Sequence, residues 1–225
     1  MDFELKLYDQ LLQFPLFQGM SRTELLQMAG NTRFDFQKLA AGKTVVEEGT
    51  PCDRLYFLIK GTLNVTSRSD DYSYQVSELM QAPWLMQPEA LFGLSFRYTF
   101  SARTHTACQF ILLSKDEVLR LFDDFLTFRL NLLNLLATQA QQRGRRTWRR
   151  VPQTLTDRII RFFADHCLYP AGRKEFHILM ERLAVEVNDS RLNVSRVLNE
   201  LQRRELVELH RGRIVIPLLE HLFMQ

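Results

Sequence analysis

The sequence predicts an α+β fold: a jelly-roll β-barrel first, a long helix after it, and a small helical domain closed by a β-hairpin. Three observations predict it. Between Thr32 and about Leu113, short strands alternate with turn residues, punctuated by glycines 42, 49, 61 and 93 and prolines 51, 83 and 88. From Asp116 to about Gln142 the apolar period becomes helical. Beyond Leu183, two short helical patterns precede two strand patterns around Arg211-Gly212.

Taken in order, residues 4–13 and 21–30 read as short helices, the second opened by the capping box Ser21-Arg-Thr-Glu24. Strands are predicted at Thr44–Glu47, Leu55–Ile59, Leu63–Thr66, Tyr74–Leu79 and Phe110–Leu113. The helix over about 115–142 carries two apolar stripes. Leu126, Leu130, Leu133, Ala137 and Ala140 form one; Phe125, Phe128, Leu132, Leu135 and Leu136 form the other. A helix apolar on two faces needs two partners. The barrel covers one, and the same helix of a second subunit is the natural cover for the other. A helix wholly buried in one core is the alternative.

Five arginines fall within Arg143–Arg150, followed by Val151 and Pro152, and the joint between domains 1–150 and 151–225 is placed here. The run reads either as a phosphate or anion contact or as a carboxylate-paired helix end. Thr154–Cys167 is a further amphipathic helix with Leu155, Ile159, Phe162 and Phe163 inward.

Leu183–Leu201 reads as a helix-turn-helix. Leu183, Ala184 and Val187 line one face of a first helix, and Asn188 sits where the turn requires a left-handed residue. Ser190 is a good N-cap, after which Val194, Val197, Leu198 and Leu201 recur at helical spacing. The opposite face carries Arg191, Asn193, Ser195, Arg196 and Asn199, a set suited to a DNA major groove. An ordinary helical hairpin has the same apolar pattern. The strands Leu206–His210 and Arg213–Ile216, ended by Pro217, add a basic-tipped wing, which favours a winged helix.

Charge is divided unequally. Residues 1–142 hold 13 Lys/Arg against 16 Asp/Glu, whereas residues 143–213 hold 16 against 9. A polyanion contact is therefore expected of the C-terminal domain. The opening residues Met-Asp-Phe-Glu-Leu-Lys lack a signal-peptide pattern, and no run approaches the roughly 18 apolar residues of a membrane span. Three scattered cysteines, 52, 108 and 167, suggest neither a disulfide framework nor a zinc knuckle, so a reducing cytoplasm is expected. No His-x-His pair, nucleophile elbow, Walker loop or dinucleotide fingerprint is present, which argues against an enzyme, a β-roll metalloenzyme included.

In this order the parts resemble the CRP/FNR family of bacterial transcription regulators. Gly42-Lys-Thr-Val-Val-Glu-Glu-Gly49 with Asp53-Arg-Leu-Tyr-Phe-Leu-Ile-Lys-Gly61 is similar to the first half of a cyclic-nucleotide-binding β-roll. Thr156-Asp-Arg-Ile159 resembles the family's hinge, and Ser190-Arg191 with Val194-Ser195-Arg196 its recognition helix. The resemblance implies a homodimer on a two-fold symmetric DNA site, with RNA polymerase as a further partner. Arg191 is then expected to read a guanine edge, and Arg196 a second base or a phosphate. Ser190, Asn193, Arg211 and Arg213 would hold the backbone, and Leu192 stands where relatives place a cytosine-reading Glu.

The effector pocket departs from the family's pattern. Pro88-Glu89-Ala90 stands where cyclic-AMP binders have Gly-Glu-Leu, and Arg97-Tyr98-Thr99-Phe100 where they have an Arg-Ser pair. Arg143-Gly144 replaces their Thr-Ser base contacts. Glu89, Arg97 and Thr99 are the candidate pocket residues. The expectation is a ligand other than cyclic AMP, or none, with Trp84, Phe92, Phe96 and Phe100 able to fill the space. His105 and Cys108 are formally possible haem ligands, but no metal or cofactor is expected. An interaction module that no longer reads DNA is the alternative function.

Overall fold

A computed structural model describes residues 2–150 and 152–224, and residues 2–6, 146 and 147 by their backbone alone. Val151 and the Arg146 side chain, both in the predicted joint region, lie outside the described residues. The chain divides into two units. One takes the residues up to Leu63 together with Met80–Thr147; the other takes Asn64–Leu79 together with Trp148 onward.

The first unit opens with helices α1 (Asp2–Leu11) and α2 (Arg22–Asn31). The Ser21 hydroxyl accepts from the Glu24 amide at 3.2 Å, and the Glu24 carboxylate accepts from the Ser21 amide at 2.7 Å, so the predicted capping box forms. Strands β1 (Asp35–Leu39), β2 (Thr44–Val46), β3 (Arg54–Lys60), β4 (Thr62–Arg68), β5 (Gln75–Gln81), β6 (Trp84–Met86), β7 (Ser101–Thr104) and β8 (Cys108–Ser114) follow. One antiparallel sheet has the order β1-β8-β3-β6, and β2 pairs with β7. Phe57 of β3 meets Phe14 and Phe17 at 5.0 and 5.6 Å between ring centres, and Phe17 meets Phe128 at 5.6 Å. The corner after β3 requires glycine: Gly61 has φ 99°, and a Cβ there would lie 2.5 Å from the Ala107 carbonyl oxygen.

The single helix predicted over about 115–142 is in fact two, α3 (Lys115–Asp124) and α4 (Leu126–Thr147). Phe125 between them is extended, with φ −124° and ψ 107°, and is buried. Asp123 and Asp124 precede α4, where carboxylates favour a helix start. Asn131 then fixes α4, its amide donating to the carbonyls of Leu16 and Gln18 at 3.1 and 2.7 Å.

The second unit holds α5 (Leu155–Asp165), β9 (Lys174–His177), α6 (Met180–Glu186), α7 (Arg191–Arg203), β10 (Glu208–His210) and β11 (Arg213–Ile216). Its strands run β10-β11-β9-β5-β4. The first wing strand starts two residues later than predicted. Glu205 is left-handed (φ 59°) and the Leu206 amide closes back onto the Leu201 carbonyl at 3.0 Å, so both residues cap α7. Ile159, Phe163, Phe176, Leu183, Val194, Leu198, Ile214 and Ile216 form the core, joined by Val76 of β5.

β5 enters this unit through a buried ion pair. Glu78 lies opposite Lys174 in the β5–β9 register, and Lys174 Nζ is 2.6 Å from Glu78 Oε2. Both side chains are 1–2% exposed. The amides of Leu168 and Tyr169 also donate to the Glu78 carboxylate, at 2.7 and 3.4 Å. A charge pair so dehydrated persists only when further hydrogen bonds satisfy it, as they do here.

Candidate nucleic-acid interface

The turn between α6 and α7 is built as its sequence predicts. Asn188 is left-handed with φ 50°, and the Asp189 amide reaches back to the Ala184 carbonyl at 3.0 Å. Ser190 Oγ accepts from the Asn193 amide at 3.2 Å and caps α7. Asp189 accepts from the Ser190 amide at 2.8 Å and from Asn193 Nδ2 at 2.9 Å, and it pairs with Arg158 of α5. The bond from Asn193 is the chief cause holding the Asp189 carboxyl below its ordinary pKa, with the bond from Ser190 next.

Val194, Leu198 and Leu201 are buried and Val197 half-buried, so α7 lies on the core by the face the periodicity marked. Arg191, Leu192, Asn193, Arg196 and Asn199 are exposed on the other face, with Ser195 half-buried at its margin. Arg191 is 3.2 Å from Glu181 of α6, a pair exposed on both sides. Arg196 makes no ion pair among the described residues.

In the wing, Gly212 turns the chain at φ 69° beside exposed Arg211. Arg213, the first residue of the predicted second strand, opens β11 directly after that turn and is half-buried, with its guanidinium 3.4 Å from Glu175 of β9. The register that closes the two-residue turn puts residue 213 on the strand rather than on the loop.

The candidate pocket residues of the first unit are engaged with their own chain. Glu89 lies in a single 3-10 turn, Pro88–Ala90, and Oε1 is 2.8 Å from Arg143 of α4. Arg97 Nη1 donates to the Gly49 carbonyl at 2.6 Å. Thr99 exchanges two bonds with the Gln87 side chain, at 2.9 and 3.1 Å. Trp84 packs against buried Phe100 at 6.0 Å. Phe92 and Phe96 instead lie under the Lys115 ammonium, 5.1 and 5.7 Å from it, and Phe96 is exposed. His105 is exposed, whereas Cys108 is buried and donates to the Thr62 and Thr106 carbonyls. Among the described residues, no three His, Cys, Asp or Glu side chains are placed to hold a metal ion, and no helix is long and apolar enough to cross a membrane.

Two family matches fall on this architecture in chain order. Residues 36–125 match the Cyclic nucleotide-binding domain, and residues 157–223 match the Crp-like helix-turn-helix domain. The chain belongs to the CRP/FNR family. It is a DNA-binding transcription regulator. The cAMP-activated global transcriptional regulator CRP of Haemophilus influenzae is 22% identical over 193 residues, covering 82% of this chain and 85% of that protein. The catabolite activator protein of Thermus thermophilus is 20% identical, covers 93% of this chain and 97% of its own, and superposes with a TM-score of 0.53. The sensor domain of the transcriptional regulator DNR from Pseudomonas aeruginosa is 23% identical over 64% of this chain and 94% of its own, with a TM-score of 0.54.

For this CRP/FNR chain, α4 presents a second surface. Leu126, Leu130 and Leu133 are 57%, 49% and 49% exposed, and Ala137 and Ala140 are exposed as well. Phe128 and Leu132, on the other stripe, are buried. The alternative of a helix buried on all sides is therefore excluded for the chain by itself. The arginine run is at least partly carboxylate-paired, Arg143 to Glu89 and Arg149 to Asp165. Arg158, named above only within the hinge resemblance, supports the start of the recognition helix through Asp189. Arg182, which the sequence reading passed over, pairs with Glu186 along its own helix α6.

Proposed function

We propose that the protein acts as a homodimer that reads a two-fold symmetric DNA site, with sensing and dimerisation in residues 1–150 and DNA binding in 151–225. The observation that carries this reading is the exposed polar face of α7, held by a capped N-terminus beside a basic wing. Arg191 pairs with a guanine edge, exchanging the exposed Glu181 for a bidentate base contact. Arg196 reads a neighbouring base or phosphate. Leu192, exposed at 61%, meets a thymine methyl rather than accepting from cytosine. Ser190, Asn193, Arg211 and Arg213 position the sugar-phosphate backbone. The exposed stripe from Leu126 to Ala140 is the dimer seam. RNA polymerase is a further partner on the strength of family membership alone.

The roll responds to a ligand other than cyclic AMP, or to none. Support comes from three features that a cyclic phosphate would have to displace or lacks altogether. Arg97 is held by Gly49, Glu89 is held by Arg143, and Pro88 offers no backbone N–H to a phosphate. The test is selection of bound DNA from a random duplex library by purified protein with no nucleotide added. Enrichment of a two-fold symmetric site is the expected result. Enrichment only when cyclic AMP is added would overturn the effector reading, and enrichment of no sequence under either condition would overturn the reading of specific recognition.

A further inference from the structure

In the second unit, the tips of two hairpins lie along one edge of the sheet. The register places His210 opposite Arg213, Arg213 opposite His177, and His177 opposite Gln75. The wing turn Arg211-Gly212 and the β4–β5 turn, residues 69–74, therefore leave the sheet on the same side. The first helix of the helix-turn-helix starts there too: the Ile178 amide donates to the Gly212 carbonyl at 3.1 Å, and Arg182 of α6 reaches Asp71 of the β4–β5 turn at 3.2 Å. In this motif the first helix crosses the DNA backbone. A loop touching that helix, level with the wing, faces the phosphates that flank the recognition helix.

The surface of this loop suits such a neighbour. An open groove of about 320 Å³ is lined by Arg68, Tyr72, Ser73, Tyr74, Gln75 and His177. Arg68 is exposed and makes no ion pair among the described residues. Tyr72 is 71% exposed and left-handed at φ 57°, a conformation that a bulky side chain seldom adopts. The opposing charges are Asp70, Asp71 and Glu175. Asp71 accepts from the Ser69 and Ser73 hydroxyls at 2.8 and 2.6 Å and is paired with Arg182. Glu175 is shared among Arg173, His177 and Arg213. Asp70 remains exposed on the turn. The buried Glu78–Lys174 pair and the bond from Tyr74 to His166 (2.9 Å) hold the hairpin against the helical part of the unit.

We propose that the β4–β5 hairpin is a second wing, with Arg68 contacting a DNA phosphate and the Tyr72 hydroxyl and Gln75 amide flanking that contact. The inference rests on the DNA-binding reading above and adds a contact that the helix-turn-helix does not include. A phosphate contact carries no base information, so its loss weakens binding to every sequence alike.

The test is a salt titration of full-length protein on two duplexes, one of random sequence and one from the selected pool. Arg68→Ala is expected to weaken both to the same extent and to reduce the slope of log affinity against log salt by about 0.9 per protomer, about 1.8 for the dimer, the release expected for one neutralised phosphate in each half-site. Arg68→Lys restores the slope, and Arg68→Glu lowers affinity further than Ala. Wild-type affinity and slope in both Arg68→Ala and Arg68→Glu, with Arg211→Ala reduced in both, would overturn the second wing and leave the DNA-binding reading standing. Failure of the wild-type chain to bind either duplex would overturn both.

Discussion

Helices α4 and α7, one in each unit, are built on the same plan and differ in what they leave uncovered. Each buries one stripe: Phe128 and Leu132 in α4, Val194, Leu198 and Leu201 in α7. The free face of α4 is leucine and alanine, whereas that of α7 is arginine and asparagine around a single leucine. Water solvates the second face well and the first poorly, so only α4 gains by covering its free face with more of the same apolar surface. A polar face rich in arginine gains instead from a polyanion. The chemistry of the uncovered stripe, rather than helicity or exposure as such, therefore distinguishes self-association from DNA recognition.

The largest expected effect comes from giving α4 the character of α7. Each leucine side chain removed from a covered seam costs about 1.5–3 kcal/mol, and two-fold symmetry makes every substitution act twice. Leu130→Glu with Leu133→Glu is expected to turn the proposed dimer into a monomer in sedimentation equilibrium while far-ultraviolet circular dichroism keeps its wild-type form. A double variant that still sediments as a dimer would remove α4 from the seam.

The converse change, on α7, is smaller and local. Arg191→Ala should cost about 1–3 kcal/mol per half-site of a selected site, concentrated at one base pair in each. Competition with every single-base variant of that site checks this. A loss spread evenly over all sequences would make Arg191 a phosphate contact and leave base reading to Arg196.

The parts of this comparison were unevenly legible in the sequence. The apolar stripes, Asn188 in the turn and the Ser190 cap follow from residue spacing and backbone preference, and each sits where those place it. The strand β9 was not legible. Lys174 occupies an inward position, and an alternation read from apolar residues alone passes over a lysine. Its burial depends on Glu78, which lies 96 residues away, and local pattern carries no information on such a partner. The same applies to Arg143 and Glu89, 54 residues apart. The sequence offers Glu89 as a candidate pocket carboxylate, but not that α4 would supply its counter-charge. The break at Phe125 escaped because Val118, Leu121, Phe125 and Phe128 run through it at helical spacing, while the signal lay in the two aspartates before it.

The ends of the two helices give the smaller effects. At the end of α4, the Arg143–Glu89 pair is 66% and 25% exposed, and a pair so hydrated contributes at most about 1 kcal/mol. Arg143→Met should therefore change thermal stability little. Cyclic AMP should leave the melting temperature of the wild-type protein unchanged, although a ligand at one hundred times its Kd would stabilise by about 2.7 kcal/mol. A dose-dependent rise in melting temperature would show that the nucleotide displaces these internal bonds.

At the start of α7 the effect is smallest and has a definite pH signature. Hydrogen bonds from Asn193 and Ser190 lower the Asp189 carboxyl pKa, and Arg158 adds its charge. A carboxyl held below its unfolded value contributes stability that is fully present above that value, 3.8 here, and is lost as pH falls through the lower folded value. Asp189→Asn keeps a side-chain oxygen for the Ser190 amide and for Asn193 Nδ2 and removes the charge, with the oxygen that accepts from Arg158. The wild-type protein should melt slightly above the variant at neutral pH, by a margin constant down to about pH 5, where the unfolded carboxyl is still ionised. Below that the margin should shrink, because acid removes from the wild type the charge that the variant already lacks. A margin that persisted to the lowest pH at which the protein folds would mean that the substitution disturbs the turn itself, and the capped start of α7 would then depend on carboxylate geometry rather than on charge.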